Sequence, residues 1–281
     1  MAVYPKRRRR GCFPGLFLIF ALLAALIWDG NTRLVTDEYS LGGARLPAGF
    51  DGFRIVQLSD LHTKEFGAGN EKLLDAVSDA RPDIIAVTGD LIDSDRAEDY
   101  VRTLMTALTK IAPVYYVTGN HEWASGWVRD LFGILEECGV TVLRNEYVTL
   151  ERGGDSIVLA GLEDPNGPYD MKKPGELMEE IRAAEGDKYV LVLSHRSERD
   201  ADWPALGVDA VLSGHIHGGL IRLPGVGGLV SPNHTLFPKH SAGVWDDGGT
   251  QVLISRGLGN KKGTLRLFNN PELVVAVLEK Q

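Results

Sequence analysis

Five short motifs of acidic, amide and histidine residues each follow an apolar run in this chain. They read Asp60-Leu61-His62, Gly89-Asp90 with Asp93, Gly119-Asn120-His121-Glu122, Ser194-His195, and Gly214-His215-Ile216-His217. Five of the seven histidines lie in these motifs. The runs before them, residues 53–58, 83–88, 113–117, 190–194 and 210–213, are short and rich in Val, Ile and Leu. Such runs read as strands, and the nearly continuous apolar ones as strands buried on both faces. A chain that ends successive buried strands in polar motifs gathers those motifs along one sheet edge.

The segments between have helical spacing. Leu73, Leu74 and Val77 share one face behind Asn70, a candidate cap. Residues 97–110 bring Tyr100, Val101, Leu104 and Leu108 together, and residues 125–138 do the same for Val128, Leu131, Phe132 and Leu135. This β-α rhythm implies parallel strands with right-handed crossovers. Further on the pattern changes. Residues 141–145, 147–151 and 157–162 read as successive strands, with Gly153-Gly154 as a hairpin turn. Residues 176–185 read as a short helix, 220–256 as β-rich with long loops, and 273–278 as a last strand. The predicted fold class is α/β: two mixed β-sheets packed as a sandwich, flanked by helices.

The N-terminus is separate in character. Lys6 and Arg7-Arg8-Arg9-Arg10 precede residues 12–28, which are uncharged and dominated by Leu, Phe and Ile. That run is close to the roughly 20 residues a membrane-spanning helix needs, and it has no polar face for a place on a domain surface. A cleaved signal peptide is the alternative reading, but no small-x-small site follows the run. The expected organisation is a basic cytoplasmic flank (1–11), a transmembrane signal-anchor (12–28), a linker and first strand (29–49), and a catalytic domain (50–281). Positive charge stays inside. The expectation is therefore a single-pass protein of the cell membrane with its catalytic domain on the extracytoplasmic side.

Five of the 30 basic residues lie in that flank, which leaves 25 against 38 acidic residues, net −13, for the rest. An acidic body disfavours the nucleic-acid backbone as partner. No protein partner is predicted. Of the two cysteines, Cys12 and Cys138, one lies in the apolar run and one in a predicted helix, so no disulfide framework is implied.

The motif chemistry suits metals. Asp60-x-His62 offers two alternate residues of one extended segment to one ion. Asp90 can bridge two ions, Asn120 offers a neutral amide oxygen, and His215-x-His217 can reach two different ions. A nitrogen and oxygen donor set without thiolate fits Mn²⁺, Fe, Zn²⁺ or Mg²⁺. A two-metal centre of this kind serves phosphate-ester hydrolysis. His121 is placed to act as general acid or electrostatic stabiliser, with Asp93 orienting its ring. Glu122 is either an orienting neighbour or a salt-bridge partner. Arg196 and Arg222 are candidate phosphate contacts, weighed against ordinary surface charge, and His234 and His240 lie in a loop near the expected site. Trp123 and Trp127 read as helix anchors ahead of walls of the pocket.

The order D-x-H, G-D-x-x-D, G-N-H-E, H, G-H-x-H resembles the calcineurin-like metallophosphoesterase superfamily over residues 50–280. Gln57-Leu58-Ser59-Asp60-Leu61-His62, Gly214-His215-Ile216-His217-Gly218-Gly219 and Ser255-Arg256-Gly257-Leu258-Gly259 resemble its membrane-anchored bacterial branch. The resemblance implies two divalent ions per chain, Mn²⁺ foremost. One is held by Asp60, His62, Asp90 and His217, the other by Asp90, Asn120, His195 and His215. Ser197 departs from the proline expected after His-Arg, which bears on loop rigidity. The activity implied is hydrolysis of phosphodiester or pyrophosphate bonds, with lipid-linked or nucleotide-linked substrates in view. A phosphomonoesterase, including a protein phosphatase, is the second reading. A non-catalytic metal-binding scaffold is the third, although such proteins lose ligands that this chain retains.

Overall fold

A computed structural model describes residues 13–93, 96–197, 202–231 and 235–281. The basic flank, Cys12 and His234 lie outside these residues.

The apolar run forms helix α1 (Phe13–Thr32), which continues four residues past the expected boundary at Trp28. Its extension holds because Asn31 Nδ2 donates to the Ile27 carbonyl one turn back and to the Arg266 carbonyl of the domain. The residues expected to open the linker are therefore a docked helix end. Strand β1 (Val35–Gly43) follows, and β2 (Phe53–Leu58) leads into the first motif.

Two α-β steps come next: α2 (Glu71–Asp79) with β3 (Ile84–Thr88), and α3 (Glu98–Leu108) with β4 (Val114–Val117). The helix expected over 125–138 is α5 (Val128–Glu137), which starts three residues later; a short helix not expected from the sequence, α4 (Asn120–Ala124), precedes it, with Gly126 at φ 69° between them. Asn70 sits before α2 but does not cap it with its side chain. Its Oδ1 accepts the Phe66 N–H at 3.0 Å instead. The strand expected over 141–145 shrinks to β5 (Thr141–Val142).

The second half supplies β6 (Glu146–Arg152), β7 (Asp155–Leu162), α6 (Pro174–Glu185), β8 (Val190–Ser194) and β9 (Ala210–Ser213). Gly153 and Gly154, both at positive φ, close the β6–β7 hairpin as the sequence predicts. The β-rich region holds β10 (Ile221–Leu223), β11 (Gly227–Val230), β12 (Gly243–Asp247) and β13 (Thr250–Ile254), and β14 (Glu272–Lys280) ends the fold.

Two six-stranded sheets result, in the orders β1-β14-β2-β3-β4-β5 and β12-β13-β9-β8-β7-β6. Both are mixed: in the first, β14 runs antiparallel to β2 and parallel to β1 while β2, β3 and β4 are parallel; in the second, the outer pairs β12–β13 and β6–β7 are antiparallel and the inner pairs parallel. Their facing surfaces bury Ile55, Ile84, Leu191, Leu212 and Ala276 between them. The first sheet packs α2, α3 and α5 on its outer face, and the second packs α6 and Trp203 on its own. The architecture is the predicted helix-flanked sandwich.

The carboxyl ends of β2, β3, β8 and β9 meet at one edge of the sandwich. Buried Gln57 links the sheets there, donating to Thr88 Oγ1 and to the Ser213 carbonyl, each at 2.9 Å. Ligand sites of open α/β sheets form beyond such strand ends.

Candidate dimetal centre

Three of the five motifs, those of Asp60, Asp90 and His215, leave their strands through a backbone conformation that side chains resist. Asp60, His62, Asp90, His215 and His217 all have positive φ, between 47° and 70°. Non-glycine residues in this region are uncommon, and where surrounding structure enforces the strain it gathers at functional sites. The motif glycines provide room. A Cβ on Gly119 would fall on the Asp90 carboxylate, and one on Gly214 on Ser59 Oγ and the Asp60 carboxylate.

The edge gathers Asp60, His62, Asp90 and His217 into one group of facing donor atoms, and Asp90, His195 and His215 into a second. Asp60 Oδ1 lies 3.2 Å from His217 Nε2, and His62 Nε2 lies 3.2 Å from the same nitrogen. Asp90 Oδ2 stands 3.7 Å from His62 Nε2 and 3.3 Å from His195 Nε2, so one carboxylate serves both groups. His195 Nε2 is 3.2 Å from His215 Nδ1. The other ring nitrogen of His195, Nδ1, donates to the Thr88 carbonyl at 2.8 Å, which turns Nε2 towards Asp90. Asn120 Oδ1 is buried with no hydrogen-bond partner. An orphaned buried acceptor beside converging imidazole nitrogens fits a cation better than an empty polar core.

Electrostatics agree. The Asp60 carboxyl lies well below its ordinary range, since His217, His195 and His62 outweigh the opposing effect of burial. Asp90 is lowered for the same reason, with His195 as its main partner. Burial, helped by neighbouring imidazoles, lowers His62 and His215 to about 3. His195 goes the other way, to about 10: burial opposes its charge, but Asp90 and Asp60 prevail.

The remaining expected residues surround this core. His121 Nδ1 lies 2.9 Å from Asp93 Oδ1, at an alignment short of a hydrogen bond, and its Nε2 lies 4.0 Å from Asp90 Oδ2. His62, Asp93 and His121 form a third cluster of facing atoms. Arg196 is clamped by Asp164, with Nε donating to Oδ2 at 2.7 Å, and its Nη1 stands 3.4 Å from His215 Nε2. Arg222 turns instead to the Gly218 carbonyl and to Ser241 Oγ. His240 stacks on Trp245 with ring centroids 3.9 Å apart, and both line a cavity of about 310 Å³ with Ser197 and Ile216. Trp123 and Trp127 pack into the helical core, as their sequence context suggests.

Glu122 is an orienting residue. Fully buried, it accepts the N–H groups of Asp90, Leu91, Ile92 and Gly119 at 2.7–3.3 Å and ties the second motif to the third. Burial and the Asp90 charge push it up to about 7. Two residues the sequence reading did not single out also serve the site. Asp164 follows the end of β7 at the same edge, a placement that could have marked it. Buried Arg266 puts Nη2 3.3 Å from His217 Nδ1, and its loop carries no comparable signal.

Paired carboxylate–histidine groups at the strand ends of a helix-flanked double sheet fit a metal-dependent phosphoester hydrolase. The chain belongs to the calcineurin-like phosphoesterase family, whose pattern matches residues 53–219. It is 29% identical over 256 residues to the uncharacterized metallophosphoesterase YkuE of Bacillus subtilis (strain 168), covering 87% of this chain and 85% of that one. It is 29% identical over 242 residues to the phosphodiesterase YaeI of Escherichia coli (strain K12), covering 80% and 82%. A transmembrane protein with metallophosphoesterase domain from Bos taurus is 31% identical over 253 residues, covering 84% of this chain and 55% of that one.

Proposed function

We propose that the chain is a membrane-anchored phosphodiesterase, acting on phosphodiester or pyrophosphate bonds of lipid-linked or nucleotide-linked substrates. The observation that carries the reading is Asp90, whose Oδ2 faces His62 on one side and His195 on the other. Asp60, His62, Asp90 and His217 would hold one ion. Asp90, Asn120, His195 and His215 would hold the other. Mn²⁺ leads among the metals suited to these donors, ahead of Fe, Zn²⁺ and Mg²⁺. Two ions held there would supply Lewis acidity towards a phosphoryl oxygen and would lower the pKa of water.

The protein's own groups do the rest. His121 gives a proton to the leaving oxygen, and the Asp93 carboxylate, 2.9 Å from its Nδ1, orients the ring by charge. Arg196, fixed by Asp164, offers positive charge to the phosphate beside His215. Arg222 is a more remote phosphate contact, directed at present to Gly218 and Ser241.

The anchor reading rests on α1, whose Gly15–Thr32 window has mean hydropathy 1.6 and is 6% buried. With the basic flank kept on the cytoplasmic side, the catalytic domain is read as lying outside the cytoplasm. The phosphodiesterase name of YaeI favours diesters over monoesters. Comparing turnover of bis-p-nitrophenyl phosphate with that of p-nitrophenyl phosphate under each metal tests the bond preference. Faster monoester turnover would replace it with the phosphomonoesterase reading.

A further inference from the structure

The end of α1 docks on the loop that closes the metal centre. Asn31 accepts at Oδ1 from the Arg266 N–H at 3.1 Å and from Asn260 Nδ2 at 2.8 Å, and its carbonyl accepts from Lys64 Nζ at 2.6 Å. Asn270 donates to the Asp29 carbonyl at 2.9 Å. The same loop reaches the ligands. Gly259 N–H donates to the Asp60 carbonyl at 2.6 Å, and Asn269 Nδ2 to the His217 carbonyl at 2.7 Å. The helix end and the centre therefore share one side of the domain.

Large apolar side chains are exposed on that loop and on the β-hairpin beside it. Leu267 bridges to Ile221, and its carbonyl accepts the Arg222 N–H, so the loop and the β10–β11 hairpin are neighbours. Leu236 bridges to Val230 and extends the set. Val226 at the hairpin turn is 65% exposed, Leu236 66%, Phe237 59% and Leu265 62%. Water gives no return for such a cluster, and on a soluble domain it marks an interaction surface. Charge names the partner. Residues 220–245 and 256–271 contain no Asp or Glu in a chain with 38 of them. Lys239, Lys261 and Lys262 are exposed there. Apolar residues ringed by cations match an anionic bilayer surface, with hydrocarbon below and headgroup phosphate above.

We propose that residues 223–231, 235–237 and 261–268 form a rim that rests on an anionic membrane surface beside α1 and brings the metal centre to the lipid–water interface. The rim rests on the reading of α1 as a membrane-spanning helix. With it, the centre takes phosphoesters lying in the headgroup layer, and α1 is a positioning element rather than a tether. Trp28, 70% exposed near the end of α1, sits where an interfacial aromatic belongs.

The test uses the full chain in nanodiscs of phosphatidylcholine and phosphatidylglycerol, with Cys12 and Cys138 replaced by serine. A fluorophore is attached at Leu22→Cys, Val226→Cys or Glu151→Cys, and nitroxide-labelled lipid quenches it. Glu151 lies at the end of β6 away from the metal centre. Retained hydrolysis of bis-p-nitrophenyl phosphate certifies the fold of each variant. The expected result is strong loss of fluorescence at 22 and 226 and little at 151. Loss at 22 but not at 226 overturns the rim and leaves the anchor. No loss at 22 overturns both. A second arm reads function: Leu236→Asp with Phe237→Asp should lower turnover of p-nitrophenyl hexadecyl phosphate in the discs severalfold and leave the water-soluble diester unchanged. Equal turnover of the acylated diester by both proteins would also overturn the rim.

Discussion

The Glu122 carboxylate accepts the Asp90 N–H at 3.0 Å, and through it the third motif holds the backbone of the second in its strained turn. The same carboxylate takes three further N–H groups, from Leu91, Ile92 and Gly119. A buried acid with four backbone donors is a clamp, and its loss leaves those donors without partners.

Glu122→Ala should therefore destabilise the fold by about 1–3 kcal/mol for each N–H left unsatisfied. Metal affinity should fall with it, because Asp90 loses its fixed position. Thermal unfolding with and without metal checks this. A variant with unchanged melting temperature would remove the clamp from the account.

His121→Ala should cost about 10²–10⁴-fold in kcat, the usual range for a general acid, while both ions stay bound. Asp93→Asn should cost about 10–100-fold, as loss of an orienting partner does. The ratio should shrink for a diester whose leaving group needs no protonation. Steady-state kinetics beside metal analysis separates the two effects, and near-normal turnover by His121→Ala would show that another group supplies the proton.

Metal loading should release protons. In the metal-free protein His195 titrates near 10, while His62 and His215 sit at about 3 and are neutral at pH 7. The raised His195 pKa adds stability that is full below about 6.5 and is lost as pH rises through about 10. The lowered His62 and His215 values work the other way, and cost stability as pH falls from 6.5 towards 3. Binding an ion at His195 Nε2 displaces its proton, so calorimetry at pH 7 in buffers of different ionisation enthalpy should find about one proton released per chain. Zero release would place the ion elsewhere.

Gly119→Ala should abolish metal binding without a large loss of secondary structure. Its Cβ would occupy the space of the Asp90 carboxylate. Circular dichroism and metal content together check this, and retained metal would show that the turn can yield.

The site was legible in the sequence because its residues sit in local motifs at strand ends, and strand ends show as the close of apolar runs. All seven expected ligand positions fall at one edge of the sandwich. What escaped depends on contacts distant in sequence. The apolar run of β14 marked a strand, but nothing local says that it inserts between β1 and β2, parallel to the first and antiparallel to the second. The end of α1 reads as linker from Asp29-Gly30-Asn31, because its helical hold comes partly from the Arg266 carbonyl 235 residues away. Glu122 stayed ambiguous for the same reason: its four donors come from two loops.

The most direct test of the central claim is hydrolysis of bis-p-nitrophenyl phosphate by the full chain. It would be assayed with Mn²⁺, Mg²⁺, Zn²⁺ or EDTA, beside Asp90→Asn. The account predicts metal-dependent turnover that EDTA and the substitution both abolish, with metal content falling in the variant. Turnover that survives both, or none with two ions bound per chain, would contradict it.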